Sequence, residues 1–186
     1  MKITNELRDT VIKKAIELGA FKAAVIPASE IVTDVSFRDI CAKNSCGMYG
    51  RCWTCPPDAG DINDLIEDLK KFEYMFIYQI VGNLEDSFDI EGMQECAKEH
   101  NRLAQKLRKV FADEGVTDRL HLGAGGCHMC DVCAKRTNEP CRHPDLALSS
   151  LETYGIYVAK TAEKADLKYI NGQNTVTYFG AVFFNL

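Results

Sequence analysis

The sequence predicts an α/β or α+β domain, in which helices pack on a layered sheet of about four strands. Two observations support this class. Segments with helical and strand-like patterns alternate along the chain, and hydrophobic residues make up 46% of the 186 residues, enough for a core. A chain of this length suits one domain. We therefore predict a single domain over residues 1–186, with ordered loops at 41–57 and 123–144.

The predicted helices follow the spacing of apolar residues. After Thr4, a good N-cap, Leu7, Val11 and Ala15 recur every four residues, and Gly19 ends the helix. Ser149 and Glu152 have the spacing of a capping box, which predicts that another helix begins there. The remaining predicted helices cover residues 61–72, 91–114 and 158–165, with a short helix or turn at 35–42.

Four segments have strand character. Residues 74–81 form a near-continuous apolar run with aromatic and β-branched side chains, which is typical of a buried strand. The other predicted strands cover residues 21–26, 119–122 and 175–184. The second of the two ordered loops directly follows one of these strands.

Charge and hydropathy argue against two classes of partner. The net charge is −5 and the sequence contains no dense cluster of Lys and Arg, so we expect no nucleic-acid partner. The apolar stretches are far shorter than a membrane span, and the first residues lack the apolar segment of a secretion signal. We therefore predict a cytoplasmic protein without membrane contact.

Nine cysteines are unusual in such a chain. Because cytosolic thiols are kept reduced, disulfides are a poor explanation, and metal binding or redox chemistry is the better one. Eight of the nine fall into two groups of four in the predicted loops. The first group is Cys41, Cys46, Cys52 and Cys55, and the second is Cys127, Cys130, Cys133 and Cys141.

The spacing of the second group favours an iron–sulfur cluster. Its C-x2-C-x2-C triplet places three sulfurs on one concave loop, as in bacterial ferredoxins, whereas zinc sites usually combine two separated C-x2-C pairs. The gap to Cys141 is seven residues rather than the three of the ferredoxin run, which leaves open whether Cys141 binds the same cluster. The first group is less diagnostic. Four thiolates per group suit [4Fe–4S] clusters, one or two in all, with Zn as the alternative.

Other candidate ligands are weaker. Cys96 lies within the longest predicted helix, and we interpret it as a buried thiol of the core. His128 and His143 lie inside the second cysteine loop, where either could replace a cysteine, but four thiols are already present there. Trp53, the single tryptophan, is interpreted as a packing residue.

Five longer motifs stand out along the chain. They are residues 46–57 (CGMYGRCWTCPP), 127–133 (CHMCDVC), 140–144 (PCRHP), 150–155 (SLETYG) and 178–182 (YFGAV). In these motifs the chain resembles an uncharacterised family of predicted metal-binding proteins from anaerobic bacteria and archaea. The resemblance covers nearly the whole chain, and it implies metal binding by the eight loop cysteines but no established reaction.

Three functions remain open at this stage. The first is a redox protein with one or two [4Fe–4S] clusters, which exchanges electrons with a partner protein or a small-molecule substrate. The second is an interaction module stabilised by Zn. The third is an enzyme in which one cluster has an open iron that binds substrate. Whether the protein is an enzyme is not decided by its sequence.

Overall fold

A computed structural model describes residues 3–186 of the chain. Helices and strands alternate as predicted, and short 3-10 turns lie at Ala28–Glu30, Ala134–Thr137 and Glu152–Tyr154. In chain order the elements are α1 (Asn5–Glu17), β1 (Lys22–Pro27), α2 (Phe37–Ala42), α3 (Ile62–Leu69), β2 (Tyr74–Asn83), α4 (Ile90–Asp113), β3 (Arg119–Leu122), α5 (Val158–Lys164) and β4 (Thr175–Phe184). The four predicted strands are all present, two of them with the predicted bounds.

The strands form one antiparallel sheet in the order β1-β2-β4-β3. The ten-residue strands β2 and β4 pair along their full length at the centre of the sheet. Within residues 3–186, β3 pairs with β4 alone and therefore forms one edge. Of the two classes that the sequence predicts, antiparallel pairing makes this protein α+β.

The sheet is covered on both faces. Because side chains alternate along a strand, Phe76 and Tyr78 face the helices α1 and α4, whereas Met75 and Ile77 face the opposite side. On that opposite side the core includes α5 and the end of α3. Both faces are therefore apolar, which explains the near-continuous hydrophobic run of β2.

Local capping signals predict two helix starts correctly. The side chain of Thr4 accepts the N–H of Leu7 at the start of α1, at 3.2 Å. Asp61 accepts the N–H of Asn63 at the start of α3, at 2.8 Å. The predicted α3 is too long, because the helix ends at Leu69 rather than at residue 72.

The helix predicted from the Ser149–Glu152 capping box is wrong. The segment forms only a single 3-10 turn, in which Ser150 rather than Ser149 accepts the N–H of Thr153, at 3.1 Å. Gly155 follows in the left-handed region with φ of 69°, which ends the turn. None of the helices within residues 3–186 has the length and apolar character that crossing a bilayer requires.

Candidate metal centre

The two cysteine loops pack against each other. The indole N–H of Trp53 in the first loop donates to the backbone carbonyl of Glu139 beyond the second triplet, at 2.9 Å. Lys135 forms an ion pair with Asp58, and both side chains are less than one-fifth exposed, at 18% and 17%. The Lys135 ammonium also lies 4.3 Å from the centre of the Trp53 ring. The loops are separate segments of the sequence, whereas the fold makes them one surface.

Glycines allow this close packing. Gly47 and Gly50 in the first loop and Gly125 in the second have positive φ angles of 72°, 66° and 65°, which favour glycine. At Gly126 a Cβ atom would lie 2.9 Å from the terminal methyl of Met48 on the other loop. A side chain at Gly126 would therefore displace the Met48 side chain.

Cys52 and Cys55 form the buried part of the first group. Hydrogen bonding from the Cys55 thiol lowers the pKa of Cys52, and the same bond, together with burial, raises the pKa of Cys55. The hydroxyl of Thr54 lies 3.3 Å from the Cys52 sulfur. Cys41 is half-buried and Cys46 is exposed. The pair is thus arranged to hold one thiolate at Cys52 next to one thiol.

Thiols of the two groups lie close together. Hydrogen bonding from the Cys55 thiol is the main cause of the lowered pKa of Cys52, and the backbone N–H of Cys127 makes a smaller contribution in the same direction. Burial raises the pKa of Cys127, and the negative charges of Cys52 and Cys141 act in the same direction. The backbone N–H groups of Met129 and Leu148 oppose them by stabilising the Cys127 thiolate. Thiols from both groups therefore share one electrostatic environment.

The chemistry of the thiols suits a metal–sulfur group, but their arrangement does not form a closed cage. All nine cysteines are free, and the three further members of the second group, Cys130, Cys133 and Cys141, are half-buried. Within residues 3–186, no three His, Cys, Asp or Glu side chains converge tightly enough to hold a single metal ion. A structural zinc site needs four ligands at about 2.0–2.3 Å from one point. The donor set suits thiolate ligation, but it does not form a closed tetrahedral site.

The weaker candidate ligands are two exposed histidines in the second loop and one cysteine outside both loops. His128 and His143 are both exposed. Cys96 is 6% exposed and packs on α4 against Gly82 of β2, where an added Cβ would lie 2.7 Å from its sulfur. Burial raises the pKa of Cys96 to about 11. The interpretation of Cys96 as a core thiol is confirmed.

A buried polar group on the sheet was missed by the sequence analysis. The hydroxyl of Tyr78 on β2 lies 3.0 Å from Nε2 of His121 on β3. His100 of α4 stacks on the Tyr78 ring, with ring centres 5.5 Å apart. Tyr78 can reach across β4 because its partner there is Gly180, where any Cβ would overlap the phenol. The glycine in an otherwise apolar, aromatic strand was the available signal.

The hydrogen bonding of this group favours one tautomer of His121. Tyr78 has no other acceptor for its hydroxyl proton among the described residues. If the hydroxyl donates to Nε2, the proton of the neutral imidazole lies on Nδ1, and only that N–H is left without a partner. The opposite tautomer would leave two groups unsatisfied. His121 is therefore neutral with a proton on Nδ1.

A cavity of about 430 Å³ borders the first cysteine loop. Aromatic and aliphatic side chains of Phe37, Ile40 and Tyr157 line it, and the carboxyl of Glu152 contributes a polar group. Asp34 is a second acid in the lining. Burial raises the pKa of Glu152. Burial also raises the pKa of Cys41, and the charge of Glu152 adds to that increase. A largely apolar cavity with a few polar groups is typical of small-molecule sites, and it lies next to a predicted ligand.

Comparison with known proteins gives one match. A family model described as predicted metal-binding protein (DUF2284) matches residues 24–184, which include every cysteine. The searches of curated proteins and of solved structures gave no match.

Proposed function

The chain belongs to this family of predicted metal-binding proteins, and from that premise we propose that it is a redox protein with one or two [4Fe–4S] clusters. It exchanges single electrons with a partner protein or with a small molecule bound beside a cluster. The proposed ligands are the eight loop cysteines, Cys41, Cys46, Cys52, Cys55, Cys127, Cys130, Cys133 and Cys141.

The observation that carries this proposal is the contact between the two loops. Trp53 of the first loop donates to the backbone carbonyl of Glu139 at 2.9 Å, and Asp58 forms an ion pair with Lys135. The backbone of Cys127 also contributes to the lowered pKa of Cys52, so thiols of the two groups lie close together. Hydrogen bonds to sulfur and burial are the main ways in which a protein sets a cluster's potential. Two groups in such contact suit clusters that exchange electrons over a short distance, or one cluster with ligands from both loops.

The spacing of the second group supports iron–sulfur ligation over zinc. Its C-x2-C-x2-C triplet is awkward for one tetrahedral ion. A cubane instead needs its ligands spread around several irons, which facing loops can provide.

The chain's own residues have defined roles in this proposal. A bound cluster supplies one-electron chemistry. Trp53 and Lys135 hold the first loop to the second, and the Thr54 hydroxyl lies 3.3 Å from the Cys52 sulfur. A reducing, cytoplasmic setting without nucleic-acid or membrane partners belongs to the same proposal.

Cysteine variants test the proposal. The protein is purified without oxygen, and visible absorbance is recorded before and after dithionite. Cys52→Ala and Cys127→Ala are compared with Cys96→Ala, which removes a buried thiol outside the loops. We expect a brown wild type that bleaches on reduction, loss of at least half of the absorbance in each loop variant, and no loss in Cys96→Ala.

Two results would overturn the proposal. One is a colourless wild type that contains stoichiometric zinc. The other is a pair of loop variants with the same absorbance as the wild type. Far-ultraviolet circular dichroism shows whether each variant is folded, and Cys130→Ser serves as a second, more conservative loop variant.

A further inference from the structure

A basic cleft lies between α4, the edge strand β3 and the segment of residues 145–148. Its volume is about 290 Å³, near the lower limit of small-molecule sites. Arg108 of α4 and Arg119 of β3 line it together with His121. Because Arg119 and His121 are two residues apart on a strand, their side chains lie on the same face. None of these residues took part in the proposed metal site.

Among the residues that the structure describes, the two arginines have no carboxylate partner. Among the ion pairs of residues 3–186 neither Arg108 nor Arg119 occurs, and Asp145 at the exposed rim pairs with neither. Burial and the charge of Arg108 both lower the pKa of Arg119, so the two positive charges repel each other across the cleft. Arg119 donates to the backbone carbonyl of Val116, which holds its guanidinium in place. An anion between the arginines would relieve the repulsion.

The floor of the cleft is neutral. His121 uses Nε2 for Tyr78, and its Nδ1 lies just below the surface of the cleft without a partner among the described residues. Burial lowers the pKa of His121 to about 3, so the ring adds no third positive charge near neutral pH. The attraction for an anion therefore comes from the guanidinium groups, which match the geometry of carboxylate and phosphate oxygens.

The cleft adjoins the second cysteine loop. Leu148 lines the cleft, and together with Cys127 it also lines a small pocket at the second cysteine loop. Leu148 also contacts the position of a Cβ at Gly123, at 3.7 Å, where β3 leads into the loop. A molecule in the cleft is thus separated from a proposed metal ligand by a single residue.

We propose that this cleft binds a small molecule through a carboxylate or phosphate group held between Arg108 and Arg119. The binding itself does not depend on the metal. The further step, that the bound anion reacts at the metal centre, rests on the proposed function.

Isothermal titration calorimetry of the full chain, purified without oxygen, tests the proposal. Inorganic phosphate and malonate are the two probes, at constant ionic strength set with chloride. The variants are Arg108→Gln and Arg119→Gln. Lys109→Gln is the matched control, because it removes the same charge from the next, exposed position of α4.

We expect saturable one-to-one binding of at least one probe, weakened tenfold or more in each arginine variant and less than twofold in Lys109→Gln. Tighter binding of phosphate identifies a phosphate-bearing ligand, and tighter binding of malonate identifies a carboxylate. Binding of neither probe, or equal weakening by the control, overturns the proposal. If Arg119→Gln does not fold, Arg108→Gln decides, since Arg108 forms no ion pair within residues 3–186.

The outcome is independent of the metal assignment. Absence of iron from the protein would overturn the proposed function but leave anion binding measurable. Conversely, a brown protein that ignores both probes would keep the proposed function and overturn the anion site.

Discussion

At the residue scale, Tyr78, His121 and His100 form a polar group within an apolar core. Tyr78 is fully buried, and burial raises the pKa of its hydroxyl. Its hydrogen bond to His121 reaches across β4 and links β2 to β3, which are not neighbouring strands. Buried polar groups are costly unless they are paired, so this contact fixes the position of the edge strand that leads into the second cysteine loop.

Gly180 makes that contact possible. In Gly180→Ala the new methyl group would overlap the phenol of Tyr78, so we expect the free energy of unfolding to fall by about 1–3 kcal/mol. Urea denaturation measures this change. The control is Gly123→Ala, where a Cβ would have ordinary contacts at 3.7 Å or more. Equal stability of the two variants would contradict the packing described for Tyr78.

Protonation of His100, which is buried, and of His121, which is half-buried on β3, provides a second prediction. Burial lowers the pKa of His100 to about 4 and that of His121 to about 3. Histidine in the unfolded chain has a pKa of about 6.5. We expect the imidazole signals of these two residues in NMR to titrate near the lower values. Variants of the exposed His128 and His143 assign the remaining signals.

The sign of the stability change follows from these values. Between about pH 6.5 and 4 the unfolded chain binds two protons that the folded chain does not. The free energy of unfolding therefore falls as pH falls, by roughly 1.4 kcal/mol per pH unit for each histidine. Glu152, whose pKa is raised, acts in the opposite direction. Histidine signals that titrate near 6.5 would contradict the burial of this group.

Residue roles were predictable from the sequence only where they depend on local spacing. The helical position of Cys96 beside apolar neighbours predicted a core thiol correctly. His100 and His121 are 21 positions apart and lie on different elements. They meet only because of the strand order, which no local pattern in the sequence encodes.

At the element scale, the contact between the loops is the main result. Trp53, Lys135 and Met48 connect two segments that are far apart in sequence. The sequence predicted ordered loops at 41–57 and 123–144. The contact itself depends on how the sheet brings the two loops together, so it could not be predicted from either segment.

Removal of Trp53 should loosen the first loop. Its hydrogen bond and its contact with Lys135 together contribute about 1–2.5 kcal/mol. In metal-free Trp53→Ala we expect alkylation of the buried Cys52 by iodoacetamide to become about tenfold faster, because local opening becomes more frequent. Peptide mass spectrometry measures the rate.

The matched control for this experiment is Phe88→Ala. It removes an aromatic side chain that is 85% exposed and lies outside both loops. If Trp53→Ala and Phe88→Ala alkylate at the same rate as the wild type, Trp53 does not hold the loops together.

At the scale of the whole molecule, two candidate ligand sites lie beside the two joined loops. The sheet that carries them has the antiparallel order β1-β2-β4-β3. The apolar cavity with Glu152 borders the first loop, and the basic cleft with Arg108 borders the second. The number of strands and the layered architecture followed from periodicity in the sequence. Strand direction and order did not, since they depend on pairing between distant segments.

The most direct test of the account is a count of iron and acid-labile sulfide per chain in protein purified without oxygen. The proposed function predicts about four of each, or about eight of each if both groups hold a cluster. It also predicts that the count falls in Cys127→Ala and is unchanged in Cys96→Ala. Protein with zinc in place of iron, and without sulfide, would contradict the central claim.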